Sequence, residues 1–390
     1  MAQFGVARWP VCSKHCLMPM RVLIAPDKFK GTLTAQAAAQ AIARGWSRVR
    51  PTDVLELFPI SDGGDGFGAV LGRAMGARVY LTRTVNAAHQ PRVARWWWAA
   101  PDATAVIESA QVIGLALLPP GRFHPFELDT FGLGAVLRAA ARRGARCCVV
   151  GIGGSATNDG GFGLARALGW RFLDSQGQAL SSWTELDKLA RLVPPARRRL
   201  FESLTVAVDV QNPLLGPRGA SRIYGPQKGL RPADFRKAEA CLGQLARVAR
   251  QTFGRDWARQ PGAGAAGGLG FGLAAFAGAR FAPGFELIAR RGGLRRRLAR
   301  ADLVITGEGA LDRSTLMGKG AGQVARLCRE KRIPCLALGG VVVHTPALDR
   351  NFTQVRALTE LTSPKQAQAE AAFFLARLAE VAAGEWREAS

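Results

Sequence analysis

The chain has 390 residues, 48% hydrophobic and 21% charged, a globular composition too long for one hydrophobic core, so two domains are expected and a largely disordered chain is excluded. The formal charge of +24 invites a polyanion, but only nine of the 53 basic residues are Lys and the Arg clusters at 196–200 and 290–300 carry no interleaved aromatics; the reading is solvated Arg-rich surface and no nucleic-acid partner. Seven Cys and four His fall in no framework or ligand spacing, which predicts no structural metal and suits a reducing, cytoplasmic setting.

Residues 1–19 have no continuous apolar core and no small-residue cleavage site, and are expected to be an extension outside the fold. From there, short β-branched runs alternate with Ala- and Leu-rich amphipathic ones, the pattern of strand-helix units on a parallel sheet. "RVLIAP" (21–26) predicts a strand, Thr34 an N-cap and the next residues a helix to Trp46, and "VLELFP" (54–59) a second strand opening into "ISDGGDGFG". Residues 78–85, 92–100 and 103–109 predict antiparallel strands, followed by a helix from Thr130 to about Arg143 and the strand "RCCVV", which runs into "GIGGSATNDGG". "TVAVDV" (205–210), "ADLVITGEG" (301–309) and "IPCLALGG" (333–340) predict further strands opening into turns. The uncharged stretch 260–279 has seven Gly in 20 residues, too weakly apolar for a membrane span. Changes of texture near residues 75 and 285 mark domain edges.

Four Gly-rich turns carry carboxylates or lie beside them: 61–66, 153–161, 261–272 and 306–320. Bare backbone lets N–H groups close on anions, while Asp and Glu beside them repel phosphate unless a metal intervenes; together they suit a nucleotide with Mg²⁺. Each turn alone is ordinary turn chemistry. "GIGGSA" also fits a dinucleotide fingerprint, with Asp174 following 23 residues after Gly151, but "TNDGG" adds two glycines before a helix can start. There is no P-loop, since Gly318-Lys319 is followed by Gly320, and no G-x-S-x-G nucleophile elbow. "APDKFKGTL" closes the first strand with Asp27, Lys28 and Lys30, cations suited to phosphate or a substrate carboxylate.

"IAPDKFKGTLTA", "PISDGGDG", "VVGIGGSATNDGG", "AVDVQNPLLGPRGAS", "YGPQKG", "PGAGAAGGLGFGL" and "ADLVITGEGALD" with the following "GKG" occur in order between about Met20 and Val343. Together they resemble the type 1 glycerate kinase family. The resemblance implies transfer of a phosphoryl group from ATP to D-glycerate, typically at the 2-hydroxyl, with Mg²⁺. It also implies an α/β fold of two domains around a cleft: a flavodoxin-like domain with a parallel sheet (20–75 plus 285–385) and a smaller inserted α/β domain (76–284). Asp159, Lys30 and Asp62 are then the catalytic candidates, Asp159 as base. Asp27, Ser155, Thr157, Asn158, Asp209, Asn212, Gly267, Gly268, Glu308, Asp312 and Lys319 are candidates for substrate or nucleotide, with Asp62 and Asp209 as Mg²⁺ ligands. The partner expected is a small hydroxy acid, with no membrane and a homodimer left open. The chain departs from the family's usual Ser at Lys28, Glu at Asp65, Thr at Phe67 and Arg at Ala310, from "GTGE" at Leu133 and Ala135, and from a Pro after "GK". These departures leave open a substrate-shifted or non-catalytic relative, and the fingerprint leaves open a nicotinamide dehydrogenase.

Overall fold

A computed structural model of the chain describes residues 18–29 and 31–386. Most of the 1–19 extension and Lys30 lie outside the described residues.

The fold is α/β, built on two main sheets. The first holds β1 (Arg21–Ile24), β2 (Val54–Leu57), β11 (Leu303–Leu311), β12 (Cys335–Val342) and β13 (Gln354–Ala357), all parallel, in the order β2-β1-β11-β12-β13. Counted within that sheet, this is the flavodoxin order 2-1-3-4-5, with its switch point between β1 and β11. Continuous apolar runs such as Val22, Leu23 and Ile24 are what a strand covered on both faces requires. The helix Ala35–Val49 starts where Thr34 Oγ1 accepts the Ala37 N–H at 3.1 Å. Its buried stripe of Ala38, Ile42 and Trp46 packs with the C-terminal helix Ala371–Glu385.

The middle of the chain forms the second sheet, from β3 (Arg78–Val85), β4 (Pro91–Ala99), β5 (Thr104–Glu108), β6 (Cys147–Gly151), β9 (Ser203–Ala207) and β10 (Arg280–Ala282), in the order β3-β4-β5-β6-β9-β10. The first two pairings are antiparallel and the rest parallel. A short antiparallel pair, β7 (Arg171–Leu173) and β8 (Arg191–Val193), stands apart.

Two elements have other bounds than their sequence suggests. The helix expected from Thr130 begins at Leu133, because the Thr130 N–H and hydroxyl are both bound to Asp159. The strand expected through Val210 stops at Ala207, leaving Asp209 in the irregular segment that follows.

The two sheets meet over the Ser61–Gly66 turn. The helix Phe67–Ala74 that follows lies on the second sheet so closely that a Cβ on Gly68 or Gly72 would come 2.1 or 2.5 Å from the Trp97 ring. One apolar cluster runs from Leu23, Phe58 and Ile60 through Phe67 and Leu71 to Val106 and Val149, so the junction is packed core rather than a loose linker. Among the described residues no helix is long and apolar enough to cross a membrane.

Candidate active site

The C-terminal ends of β1, β2 and β11, where open α/β sheets bind ligands, deliver the acidic and basic residues of the first sheet to one crevice. Asp27 follows β1, is nearly buried, and is pushed up to about 7 by that burial and by the facing charge of Asp62. Its Oδ1 accepts the Lys28 N–H at 2.7 Å, and its Oδ2 lies 3.0 Å from where a side chain on Gly320 would begin. Gly320 opens the 12-residue helix Gly320–Lys331, so this carboxylate sits at the helix's positive end. Lys28 Nζ approaches Asp62 Oδ1 at 3.8 Å. Across β11, Glu308 accepts from Thr315 Oγ1 at 2.8 Å and meets Lys319 Nζ at 3.3 Å; burial raises its carboxyl, and these two partners oppose the rise. Asp312 lies 4.0 Å from Lys319 and binds the Ser314 N–H at 2.7 Å, and the Ser314 hydrogen bonds hold its carboxyl low.

The second sheet contributes the opposite wall. Asp209 keeps an open outer edge, yet both its oxygens take the Gly284 N–H at 3.1 Å, and desolvation with the charge of Asp62 pushes it up to about 7. Asp62 is therefore the common neighbour of two raised carboxylates, one from each sheet. The walls touch where Gly153 N donates to Gly63 O at 3.3 Å and a Cβ on Gly153 would fall 2.4 Å from the Gly64 Cα. Among the described residues no three His, Cys, Asp or Glu side chains are already gathered as a metal cluster.

The loop from Gly153 to Gly161 continues from that contact, and its residues serve different ends. Ser155 Oγ accepts from Lys228 Nζ at 3.0 Å, and the Thr157 carbonyl accepts from the same ammonium at 2.7 Å. Asn158 Nδ2 donates to Ser221 Oγ at 2.9 Å. Asp159 is fully buried: its carboxylate accepts from Thr130 Oγ1 at 2.7 Å and from the N–H groups of Thr130, Gly163 and Gly161 at 3.0, 2.9 and 3.2 Å. Burial and neighbouring Asp129 nonetheless push it up to about 6. The dinucleotide reading fails on this geometry. The helix after β6 starts only at Phe162, and the carboxylate of Asp159 occupies the N–H groups that would face a pyrophosphate.

The family model described as the glycerate kinase family matches residues 22–387. The chain belongs to that family. It is 38% identical to a glycerate kinase of Halalkalibacterium halodurans over 88% of this chain and 93% of the relative, and 34% identical to the glycerate 2-kinase of Escherichia coli K12 over 88% and 92%. A crystal structure from Salmonella typhimurium LT2, assigned as glycerate kinase 2, superposes with a TM-score of 0.81 at 32% identity, over 94% of this chain and 98% of that one. Membership makes the chain a kinase.

Against the glycerate kinase pattern, the departures separate by location. Phe67 and Leu133 are fully buried core positions. Lys28 and Asp65 border the crevice, the Asp65 carboxylate filling the space a side chain on Gly154 would need, and Ala310 is exposed on β11. Asn212 organises its own turn, donating to the Arg218 carbonyl at 2.8 Å and accepting from Tyr224 Oη at 2.7 Å. Gly267 and Gly268 press on the 157–160 backbone; a Cβ on Gly267 would lie 1.9 Å from the Thr157 oxygen. Two residues stayed unnoticed as candidates in the sequence. Glu108 ends β5 and accepts the Gly66 and Gly68 N–H groups at 3.0 and 2.9 Å, capping the helix Phe67–Ala74. Lys228, although inside the quoted "YGPQKG", is a buried ammonium pulled down to about 7 by desolvation, with the charge of Asp159 acting the other way.

Proposed function

We propose that the protein transfers the γ-phosphoryl group of ATP to the 2-hydroxyl of D-glycerate, giving 2-phosphoglycerate and ADP. The observation that carries this reading is the carboxylate set Asp27, Asp62 and Asp209, drawn from strand ends of both sheets into one crevice with Lys28 and Lys319 at its edge. The relatives, a glycerate kinase and a glycerate 2-kinase, support the substrate. Two units, 20–75 with 285–385 and 76–284, form the crevice between them in this reading, and the enzyme works in the cytoplasm.

Phosphoryl transfer asks for position and charge neutralisation more than covalent help. Lys319, at the head of the helix Gly320–Lys331, with Lys28 and Lys30, neutralises phosphate or the glycerate carboxylate. Asp27 accepts the hydroxyl proton as the new O–P bond forms and the bond from the γ-phosphorus to the bridging oxygen breaks toward ADP. A base poised near neutral pH suits that step, and Asp27 is held at about 7. We move the base role from Asp159 to Asp27 because all Asp159 oxygens are committed to buried donors. Ser155, Thr157 and Asn158 position substrate, while Glu308 and Asp312 hold Lys319 in place.

Asp62 and Asp209 would hold Mg²⁺. The fit rests on the like charge of Asp62 facing carboxylates from both sheets, Asp27 and Asp209, with Lys28 at 3.8 Å offsetting part of it; a divalent cation relieves the repulsion that is left. One or two carboxylates completed by phosphate oxygens and water are the usual complement of that ion, which when bound neutralises charge on the β- and γ-phosphates.

A second reading is favoured by Lys28, a cation where the family usually has Ser: a related hydroxy acid carrying more negative charge. A coupled ADP assay across D-glycerate, L-glycerate and tartronate, with phosphorus NMR of the product, tests both. ADP release driven by D-glycerate supports the first; a preference for tartronate supports the second; no turnover with any of them overturns both.

A further inference from the structure

The loop that borders the crevice is gripped from behind by a segment with no assigned role. Ser221 in the helix Ala220–Tyr224 and Lys228 at the end of the turn Pro226–Lys228 reach across to three neighbouring loop positions: Lys228 to Ser155 Oγ and the Thr157 carbonyl, Ser221 to Asn158. Lys228 is buried, and so are Ser155, Thr157, Asn158 and Ser221. Enclosing an ammonium is costly, and an apolar side chain of similar length would fill the same space without that cost. The compensating gain here is geometric, since one cation fixes a hydroxyl and a carbonyl two residues apart.

Two further atoms show what the fixed loop holds ready. Thr157 Oγ1 and Asn158 Oδ1 are buried with no hydrogen-bond partner among the described residues, although buried polar groups are ordinarily paired. The same loop starts at Gly153 and Gly154, which abut Gly64 and Asp65 of the crevice turn. Displacing the loop therefore displaces the crevice wall.

We propose that Lys228 is a positioning residue of this kinase: its buried ammonium pins the Gly153–Asp159 loop so that Ser155, Thr157 and Asn158 are held in register for the hydroxy-acid substrate. The inference rests on the reading given under Proposed function, and it deepens that reading by naming the group that orders the substrate loop from outside the crevice.

The test compares wild type, Lys228→Met, Ser155→Ala and the double variant by three readouts: hydrogen exchange of the peptide spanning 150–161, KM and kcat for D-glycerate and ATP, and thermal midpoint. In Lys228→Met we expect loop exchange to rise about tenfold while the sheets stay protected. We expect KM for D-glycerate to rise about tenfold, with KM for ATP changing less than about twofold. Ser155→Ala, which removes one acceptor and leaves the ammonium, is expected to move both readouts in the same direction by about threefold. In the double variant loop exchange should be no faster than in Lys228→Met, the non-additivity of one shared interaction. If Lys228→Met does not fold, the loop exchange of Ser155→Ala decides whether the pin exists, because its KM also reports the substrate hydroxyl contact that the substitution removes. Unchanged loop exchange overturns the pin; faster exchange with an unaltered KM for D-glycerate overturns the positioning role and leaves Lys228 merely structural. A wild type without turnover overturns the proposed function and the substrate part of this inference, while exchange still decides whether Lys228 holds the loop.

Discussion

Asp27 and Asp159 are both carboxylates raised well above their ordinary range, and burial is the first cause in each, yet they face opposite demands. Asp27 looks into the crevice with Asp62 and Glu308 around it. Its folded-state value of about 7 against 3.8 means that the folded protein holds the proton more tightly than the unfolded chain does. The resulting stability is present in acid and is lost as pH rises from about 4 to 7. Asp27→Asn is therefore expected to raise Tm in metal-free buffer at about pH 8, leave it unchanged at about pH 4, and cut kcat by about 100-fold or more, checked by calorimetry and the ADP assay. Asp159→Asn places an amide NH₂ among donors from Thr130, Gly161 and Gly163. It is expected to cost about 2–4 kcal/mol in urea unfolding while the folded fraction keeps its turnover. The sequence marked both residues by their Gly-rich surroundings. It had no means to separate them, because burial of the oxygens depends on Thr130, 29 positions away.

At the scale of elements, the helix Phe67–Ala74 shows how a short segment joins two sheets. Its first N–H groups end on Glu108, so its positive end is taken by a protein carboxylate rather than by substrate. Glu108→Gln sets an amide NH₂ against one of those N–H groups and is expected to cost about 1–3 kcal/mol, read from denaturant unfolding. Phe67 tests the meaning of the family departures. It is fully buried at the junction, where a side chain on Gly151 would come 2.5 Å from its ring. Restoring the family's usual residue with Phe67→Thr is expected to lose about 3 kcal/mol without any gain in kcat, measured by thermal unfolding and the ADP assay. The strands and the first helix were legible because their apolar periods and the Thr34 cap are local signals. Glu108 was not, since a single Glu at a strand end carries no local mark of the helix it caps.

For the whole molecule, the crevice is a product of topology: the switch point of a flavodoxin-ordered sheet faces the strand ends of a second sheet, and Asp62 couples carboxylates from both. That coupling predicts a dependence on divalent cation. Chelation is expected to abolish turnover, and adding Mg²⁺ to the chelated protein is expected to raise Tm most above about pH 7, where the carboxylates are ionised, as read by thermal unfolding with and without the ion. Mg²⁺ on Asp62 should draw Asp27 below the value of about 7 it has in the metal-free protein, so kcat should fall on an acid limb that lies below pH 7, where Asp27 takes up a proton. By itself, the sequence determined the alternation of strands and helices, the turns rich in glycine and carboxylates, and the motif order that marks the family, because each is written in neighbouring residues. Only the tertiary structure decided which carboxylates face the crevice, that Asp159 caps a buried helix, and that Lys228 reaches back over 71 residues to hold a loop. Burial and hydrogen-bond partnership are properties of distant segments brought together, and no local window of the chain contains them.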